Sequence, residues 1–531
     1  MPQKTLNGKD LRLKIELAEK IKSAVKEWRE SGYKGVTDVT GRLLEYWFQE
    51  DHKVDGRPFE FWNCQKEAME SLIYLYEVSK LHSLSDLKRS FDVSLPAVED
   101  LWPKYCFKMA TGSGKTFVME LAIVWQYFNK IYGSEGRYSS HFLIIAPNII
   151  VFDRLKESFE DAKEIKKYPF IPPEWRDDFD LQTILRGEEK TSKYGEGVLF
   201  LTNVQQLYPR EERFKNPVDK YFGPKPKRED DPLAVWEYWF TSLVEYDDLM
   251  IINDEAHHAH TDDLKWNQTI RMLNDTLQER YGDSLVMQLD FTATPKDPKG
   301  RYFPHIIYDY PLAFAIRDKH VKKVHIGLIE NVPEPPTTDF VMKHKAQIDA
   351  GIQKLREFKS KLSPYKKPVI FVVCDYNKNA DKVGKYLEKE FPRKVLVIHT
   401  DKSGNIRKKD LPKLREAARN IDRNQYEVIV SVMMLKEGWD VRNVVTIVPL
   451  RPAKAPTLPE QILGRGLRRM EPFNEDWDET LVVVDHPRFR QLWEAEIKKG
   501  EIYAKIESVR IKPEIHRIMA VSYTHLTLPT N

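Results

Sequence analysis

Residues 105–123 read Tyr-Cys-Phe-Lys-Met-Ala-Thr-Gly-Ser-Gly-Lys-Thr-Phe-Val-Met-Glu-Leu-Ala-Ile, and this stretch decides both the fold and the chemistry of the chain. Its first five residues predict a buried strand and its last seven predict a helix, so a Gly-rich turn joins the two. In such a turn successive backbone N–H groups converge on phosphate oxygens, and the following helix aims its N-terminus at the same anion. The sequence therefore predicts a nucleoside triphosphate site at residues 109–116.

The residues of this loop have distinct predicted roles. Lys115 reaches the β- and γ-phosphates, and the Thr116 hydroxyl binds Mg²⁺. Met109 stands where the full phosphate-loop pattern has glycine, but this position opens the turn and need not donate to phosphate. The backbone that surrounds the phosphates comes from Thr111, Gly112, Ser113 and Gly114. The alternative is an ordinary Gly-Ser turn in front of a helix.

An acidic pair follows a second predicted strand, residues 249–253. We expect Asp254 to hold Mg²⁺ through water, and Glu255 to orient and deprotonate the attacking water. His257 would link the nucleotide site to a neighbouring domain. The alternative is a metal-hydrolase cluster of His257, His258 and His260, although no second ligand group at zinc-site spacing accompanies it.

With both motifs placed, the chain resembles a superfamily 2 helicase or translocase of the DEAD/DEAH type. Within that group it is similar to the Res (motor) subunit of type III restriction enzymes. The resemblance covers roughly residues 33–490, in the motif order that such motors require. Besides the two motifs above, it rests on residues 61–68, 146–148, 202–205, 289–295, 438–440 and 461–468.

The resemblance implies a role for each of these motifs. Gln65 would read the adenine edge, with an upstream aromatic residue stacked on the base. The residues implied to hold a nucleic-acid backbone are Pro147, Asn148, Thr202, Asn203 and Gln205. Those implied to couple hydrolysis to strand movement are Thr292, Ala293 and Thr294. Those implied to complete the nucleotide site from the second domain are Gly438, Asp440 and Gln461.

Two arginines of the last motif have a physical reason of their own. Arg465 and Arg468 are spaced i, i+3, so on a helix they project from one face. Guanidinium groups facing a γ-phosphate across a cleft act as arginine fingers that stabilise transition-state charge. A solvated basic helix is the alternative, and Arg469 is interpreted in that way. Gln461 and Gly464, at the family spacing, favour the arginine-finger interpretation.

Composition agrees with an intracellular, multidomain protein. The 531 residues predict about three domains, and 41% apolar with 31% charged residues is typical of soluble proteins. The net charge of +3 means that any nucleic-acid surface is a local patch. Cys64, Cys106 and Cys374 are few and far apart, which favours a reducing compartment. No apolar run approaches about 18 residues, so we expect a cytoplasmic location without membrane contact.

The predicted fold is α/β, with two tandem RecA-like parallel-sheet domains and a helical N-terminal accessory region at residues 1–56. The first domain spans 57–330 and the second spans 363–490, with a linker and connecting helix at 331–362. Residues 209–240 predict a Pro-rich charged insertion, or alternatively a disordered loop. The strands predicted are 105–109, 142–146, 198–202, 249–253, 286–291, 368–373, 394–398, 426–432, 443–449 and 480–485.

Two features are expected near the end of the chain. Residues 491–520 would begin a truncated C-terminal region, and residues 521–531 look like a translated adaptor, that is, a non-native tail. A complete Res subunit would continue into a nuclease domain, which this fragment would lack. Glu496-Ile497-Lys498 is half of a nuclease pattern, and we interpret it as a chance match.

The predicted function is that of an ATP hydrolase, an ATP-dependent nucleic-acid translocase or helicase with ATP and Mg²⁺ as cofactors. The resemblance implies the motor part of a type III-like restriction enzyme acting on duplex or single-stranded DNA, with a modification methyltransferase subunit as partner. The alternatives are a general DNA or RNA helicase, and an ATP-dependent nucleic-acid sensor that does not unwind. Backbone contacts dominate such motors and carry little information about the 2′-hydroxyl, so the motifs leave DNA and RNA both open.

Overall fold

The computed structural model describes residues 15–96, 100–185, 196–204, 239–258, 265–296, 302–329, 335–362, 366–399, 410, 412, 422–432, 441–450, 466–471, 478–484 and 504–509. Of the predicted insertion at 209–240, this leaves Trp239 and Phe240. The tail at 521–531 and the nuclease half-match at 496–498 lie outside the described residues. So do five predicted site residues, Gln205, Gly438, Asp440, Gln461 and Arg465.

The N-terminal region forms two helices, a hairpin and two further helices. They are α1 (Glu16–Glu30), α2 (Asp38–Gln49), β1 (His52–Val54), β2 (Arg57–Phe59), α3 (Asn63–Ile73) and α4 (Leu84–Phe91). Helix α1 buries apolar residues at helical spacing, among them Leu17, Ile21 and Val25. These side chains share one apolar cluster with the first sheet, so the predicted accessory region packs as part of the first domain.

The first sheet has seven strands, all parallel, in the order β5-β6-β4-β7-β8-β3-β9. The strands are β3 (Lys104–Met109), β4 (His141–Ala146), β5 (Leu181–Leu185), β6 (Gly197–Asn203), β7 (Leu249–Asp254), β8 (Gln288–Thr292) and β9 (Ile306–Tyr310). Its helices are α5 (Lys115–Ile131), α6 (Ile149–Phe159), α7 (Lys163–Lys167), α8 (Lys265–Tyr281) and α9 (Leu312–Arg317). Central strands such as β4 and β7 are buried along nearly their whole length, as parallel sheets covered on both faces require.

The second sheet also has seven parallel strands, in the order β12-β13-β11-β14-β15-β10-β16. The strands are β10 (Lys323–Ile329), β11 (Val369–Cys374), β12 (Val395–Ile398), β13 (Val428–Val432), β14 (Val444–Pro449), β15 (Thr480–Val484) and β16 (Ala504–Val509). Three helices accompany it, α10 (Phe340–Lys343), α11 (Lys345–Lys361) and α12 (Asn377–Glu390). Counted from the first strand of each sheet, both orders are 3-4-2-5-6-1-7, so the predicted pair of parallel-sheet domains is confirmed.

The structure differs from the sequence prediction at several boundaries. Strand β10 lies inside the range 57–330 but pairs in the second sheet, so the chain crosses between the sheets before Lys323. Strand β16 extends the second sheet into the range 491–520. The connecting helix predicted within 331–362 is present from Phe340 to Lys361 but breaks at His344, whose backbone is not helical. All ten predicted strands are present; four further strands of the two seven-stranded sheets, β5, β9, β10 and β16, were missed, as was the hairpin of β1 and β2.

The missed strands have a common physical cause. Three of them, β5, β9 and β16, are edge strands, and polar residues interrupt the apolar run of each: Gln182 and Thr183 in β5, Asp309 in β9, and Lys505, Glu507 and Ser508 in β16. In β10 the apolar pattern is interrupted by His325 and Gly327. In the part of the chain that the structure describes, no helix is both long and apolar enough to cross a membrane.

Candidate nucleotide site between the two sheets

The phosphate loop leaves β3 and enters α5 through two glycines in the left-handed backbone region. Gly112 has φ +86° and Gly114 has φ +80°, which glycine adopts without steric cost. A Cβ at Gly114 would lie 2.1 Å from Nε2 of Gln65, so glycine is also required for close approach. The Ser113 hydroxyl donates to the Ala110 carbonyl at 2.7 Å and tightens the turn. Gln65, the residue predicted to read the adenine edge, thus lies against the phosphate loop, and its contact with the base stays a prediction.

Lys115 and Glu255 face each other at the carboxyl ends of the strands. The Lys115 ammonium lies 3.8 Å from Oε1 of Glu255 and donates to the Met109 carbonyl at 3.4 Å. Both side chains are about nine-tenths buried. Glu255 has φ +51°, a left-handed conformation that costs a residue other than glycine about 1–3 kcal/mol. Such strain is concentrated at functional sites, and here it accompanies a carboxylate aimed at the phosphate-loop lysine.

Asp254 is fully buried and has a charged partner that the sequence motifs do not reveal. Its Oδ1 accepts a hydrogen bond from the Glu255 amide at 3.0 Å. Its Oδ2 accepts from Nη2 of Arg154, which lies on α6 and 100 residues away in the chain. The guanidinium compensates the buried negative charge of Asp254. A carboxylate and a hydroxyl are hard oxygen donors that suit Mg²⁺, so the chemistry of the predicted ligands Asp254 and Thr116 fits this ion.

His257 connects the acidic pair to the coupling motif at the end of β8. Its Nδ1 lies 2.9 Å from the Thr292 hydroxyl and 3.8 Å from Oε2 of Glu255. The Thr292 hydroxyl also accepts a hydrogen bond from the Thr294 amide at 3.1 Å, across the buried Ala293. This arrangement joins the two motifs directly. Among the described residues no group of three His, Cys, Asp or Glu side chains forms a metal site, and His260 lies outside them.

A buried polar network lies behind the acidic pair, and the sequence analysis missed it. Asn253 and Gln288 both donate to Oδ1 of Asp290, at 2.7 and 2.8 Å. Trp266 donates to Oδ1 of Asn253 at 3.1 Å, and Trp102 donates to Oε1 of Gln288 at 3.0 Å. The network ties β7 to β8 and thereby fixes the strand that carries Asp254. The sequence gives only a weak indication of this network, because the polar residues Asn253, Gln288 and Asp290 are scattered among apolar ones.

The residues predicted to hold nucleic acid lie at the ends of β4 and β6. Asn148 caps α6, because its Oδ1 accepts from the amides of Ile150 and Val151 at 2.9 and 3.1 Å. Pro147, directly before it, begins the same turn. Thr202 is fully buried and Asn203 is 2% exposed. Contacts of these side chains with nucleic acid therefore stay predictions.

The second sheet brings Arg468 to the phosphate loop. Arg468 pairs with Val321 in an antiparallel bridge, and a Cβ at Gly112 would lie 2.9 Å from Val321 Cγ1 and 3.5 Å from Arg468 Cγ. The prediction that Arg465 and Arg468 project from one face of a helix is wrong for the residues that the structure describes, since residues 466–469 are not helical. Pairing with Val321 overrides the helical spacing.

Arg469 is also placed differently from its prediction as a solvated residue. It is 4% exposed, donates to the Lys319 carbonyl at 3.1 Å and lies 3.6 Å from Oε1 of Glu479. Glu479 in turn accepts from the backbone amides of Met470 and Glu471. The arginine next to Arg468 thus anchors this segment in the second domain.

Comparisons with known proteins agree with this arrangement. The family described as "Type III restriction enzyme, res subunit" matches residues 59–297, and "Helicase conserved C-terminal domain" matches residues 353–470. The chain is 22% identical over 480 residues to the "Probable type III restriction-modification enzyme HindVIP Res subunit" of Haemophilus influenzae, covering 83% of this chain and 80% of the relative.

One solved structure resembles the fold along most of the chain. It is "the fragment structure of a putative HsdR subunit of a type I restriction enzyme" from Vibrio vulnificus YJ016. The TM-score is 0.50 at 16% sequence identity, over 90% of this chain and 72% of that one. At this identity the likeness concerns the fold alone, and it spans both seven-stranded sheets.

Proposed function

We propose that the chain is an ATP-dependent DNA translocase. The proposal starts from the premise that it is a superfamily 2 helicase-type protein similar to the Res subunit of type III restriction enzymes. Helicase domains of this kind imply nucleotide binding and ATP hydrolysis. The observation that supports the proposal best is the meeting of Lys115, Glu255 and Arg468 around one loop. Two of these residues come from the first domain and the third from the second.

Each side chain has a role that follows from its position. The backbone amides of residues 111–115 and the Lys115 ammonium bind the β- and γ-phosphates. Thr116 and Asp254 would hold Mg²⁺, which neutralises phosphate charge when bound. Glu255 accepts the proton of the attacking water. Arg468 then faces the charge that develops on the γ-phosphate.

The remaining predicted residues extend this scheme. Arg465, Gln461, Gly438 and Asp440 would complete the site from the second domain. His257 would pass the state of the acidic pair to Thr292, since the two side chains are 2.9 Å apart. Pro147 and Asn148 form the turn that precedes α6, the helix that carries Arg154, so nucleic acid held at this turn would act on the helix that touches Asp254.

DNA is proposed as the track because the relative is described as part of a restriction–modification enzyme, and a modification methyltransferase is the corresponding partner. A general DNA or RNA helicase and a sensor that does not unwind remain the alternatives. Displacement of a triplex-forming strand from duplex DNA separates a translocase from a sensor. ATPase rates with duplex DNA, single-stranded DNA and RNA separate the tracks. A stronger response to RNA would contradict the proposal.

The first test is ATP hydrolysis by the purified chain with saturating duplex DNA. We expect Lys115→Ala to reduce turnover to background because the β/γ-phosphates lose their cation. Glu255→Gln should still bind ATP, measured by equilibrium binding, but should stall hydrolysis because the amide cannot take a proton. Lys130→Ala, in the last turn of the same helix α5, is the matched control and should hydrolyse ATP normally. Undiminished hydrolysis in both site variants would contradict the assignment.

A further inference from the structure

The segment that crosses between the sheets, residues 318–322, contacts both sides of the nucleotide site. It follows α9 and leads into β10. On the side of the first domain, the His320 ring stacks on Trp62, with ring centroids 4.1 Å apart and an interplanar angle of 5°. The Trp62 amide donates to Oε1 of Gln65 at 2.8 Å. His320 therefore covers the residue that anchors the predicted base-reading glutamine.

Hydrogen bonds fix the orientation of the His320 ring. Its Nδ1 lies 3.0 Å from the Tyr310 hydroxyl, which donates to Oδ2 of Asp318 at 2.9 Å. Because the phenol has one proton and the carboxylate can only accept, Nδ1 of His320 carries the proton shared with Tyr310. Burial lowers the pKa of His320 to about 4, against the opposing effect of Asp318. The ring is therefore neutral and flat against Trp62 at physiological pH.

The other side of the crossing segment is bound to the residues around Arg468. Val321 forms the bridge with Arg468, and the Lys322 amide donates to the Leu467 carbonyl at 2.8 Å. The Lys319 carbonyl accepts from Arg469 at 3.1 Å. The buried Lys322 ammonium donates to the Val444 carbonyl at 2.7 Å. A displacement of this segment would therefore move Arg468 relative to Gly112.

We infer that His320 is a positioning residue: its stack on Trp62 holds the crossing segment, and the crossing segment holds Arg468 beside the phosphate loop. The inference rests on the proposed function, in which Arg468 acts on the γ-phosphate. It adds a connection between the base end of the site and the arginine of the second domain. His320 acts through the backbone of Val321, since the side chain itself contacts Trp62, Tyr310 and Cys64.

The test measures kcat and KM for ATP, with saturating duplex DNA, in His320→Ala, Arg468→Ala and the double variant. We expect His320→Ala to lower kcat roughly 3- to 30-fold, the range of coupled neighbouring groups, with KM changed less than about threefold. In the Arg468→Ala background the same substitution should lower kcat less than about twofold. His320→Phe keeps a flat ring on Trp62 and should restore kcat to within about threefold of the original chain.

The matched control is His82→Ala, because His82 also stacks on an aromatic residue, Tyr76, at 4.7 Å in the first domain. Its kcat should not change. If His320→Ala does not fold, His320→Leu fills the space without a flat ring and takes its place in the same comparison. If kcat falls in Arg468→Ala but is normal in His320→Ala, the inference is overturned and the proposed function stands. Losses of kcat that add in the double variant would also overturn only the inference. A normal Arg468→Ala would instead overturn the proposed function.

Discussion

The two sheets share one strand order but differ in what stands at the ends of their strands. In the first sheet β7 ends at Asp254, with Glu255 directly after it, and β3 leads into the phosphate loop. In the second sheet the strand at the position of β7 is β14, which ends at Pro449 and is followed by the buried Leu450. A proline and a leucine offer neither a metal ligand nor a base. The same topology therefore carries the predicted catalytic pair in one copy and no such pair at the matching point of the other.

The buried polar groups beside the two corresponding strands, β7 and β14, also differ. Behind Asp254 the first sheet buries the network centred on Asp290, whose polar groups all find partners. In the second sheet Thr446 of β14 is fully buried, and its hydroxyl has no hydrogen-bond partner among the described residues. Buried polar groups are costly unless paired, and the hydrogen bonds of Asn253 and Gln288 to Asp290 offset this cost beside the strand that carries Asp254. In the second domain, residues 466–471, which form neither helix nor sheet strand, place Arg468 beside Gly112.

The largest expected effect tests whether the first domain supplies the catalytic pair and the second supplies Arg468. Arg468→Ala should leave ATP affinity within a few-fold and lower kcat by about 10³, as the loss of an arginine finger does. The reason is that the guanidinium acts on charge that develops during hydrolysis rather than on bound ATP. Steady-state ATPase and equilibrium binding of ATP measure the two quantities separately.

Arg356→Ala is the control for this prediction, because Arg356 pairs with Glu390 on the surface of the second domain. It should behave as the original chain. Unchanged kcat in both Arg468→Ala and Arg465→Ala would mean that the first sheet hydrolyses ATP without help from the second.

Much of this comparison could be predicted from the sequence. Central strands such as β4 and β11 are buried on both faces, so they read as continuous apolar runs and were found within about two residues. The phosphate loop and the acidic pair are local patterns, and their chemistry depends on adjacent residues. Three of the four edge strands of the two large sheets, β5, β9 and β16, and the crossing into β10 carry weaker patterns and were missed.

The parts that sequence could not predict depend on contacts between distant residues. The Arg154–Asp254 pair joins side chains 100 residues apart, and the Asn253–Asp290 hydrogen bond spans 37 residues. The spacing of Arg465 and Arg468 suggested a helix, but Arg468 instead forms an isolated antiparallel bridge with Val321. The residues around His320 do not predict its stack on Trp62, because Trp62 lies at the other end of the first domain in the sequence.

The next largest effect concerns the buried network of the first sheet. Asp290→Ala leaves Asn253 and Gln288 without their shared acceptor, so we expect the free energy of unfolding to fall by about 1–3 kcal/mol. Urea unfolding followed by tryptophan fluorescence measures this change. Asp290→Asn is the control, since its amide oxygen still accepts and the loss should be smaller. Equal losses in the two variants would show that charge, rather than the acceptor, stabilises the pair of strands.

A smaller effect is expected at the junction of the sheets, from the titration of His320. Its pKa is lowered from an ordinary 6.5 to about 4 by burial, with Arg469 lowering it further and Asp318 raising it. The folded state therefore favours the neutral ring, and the stability this provides is present above about pH 6.5 and is lost as the pH falls toward 4. The original chain should lose more thermal stability between pH 7 and pH 5 than His320→Phe, which cannot titrate there. Equal losses of thermal stability in the two proteins would show that His320 does not cause the pH dependence.

The smallest effect sharpens the contrast between the two interiors. Thr446→Val in β14 replaces a buried hydroxyl that lacks a partner among the described residues with a methyl group of similar size. Removing an unpaired polar group should leave the free energy of unfolding unchanged or raise it by up to about 1 kcal/mol. Val448→Thr, two residues along the same strand, is the reciprocal control and should destabilise the protein, because it buries a new hydroxyl among apolar side chains. If Thr446→Val were strongly destabilising, the hydroxyl would have a structural role, and the second sheet would depend on a buried polar contact as the first does.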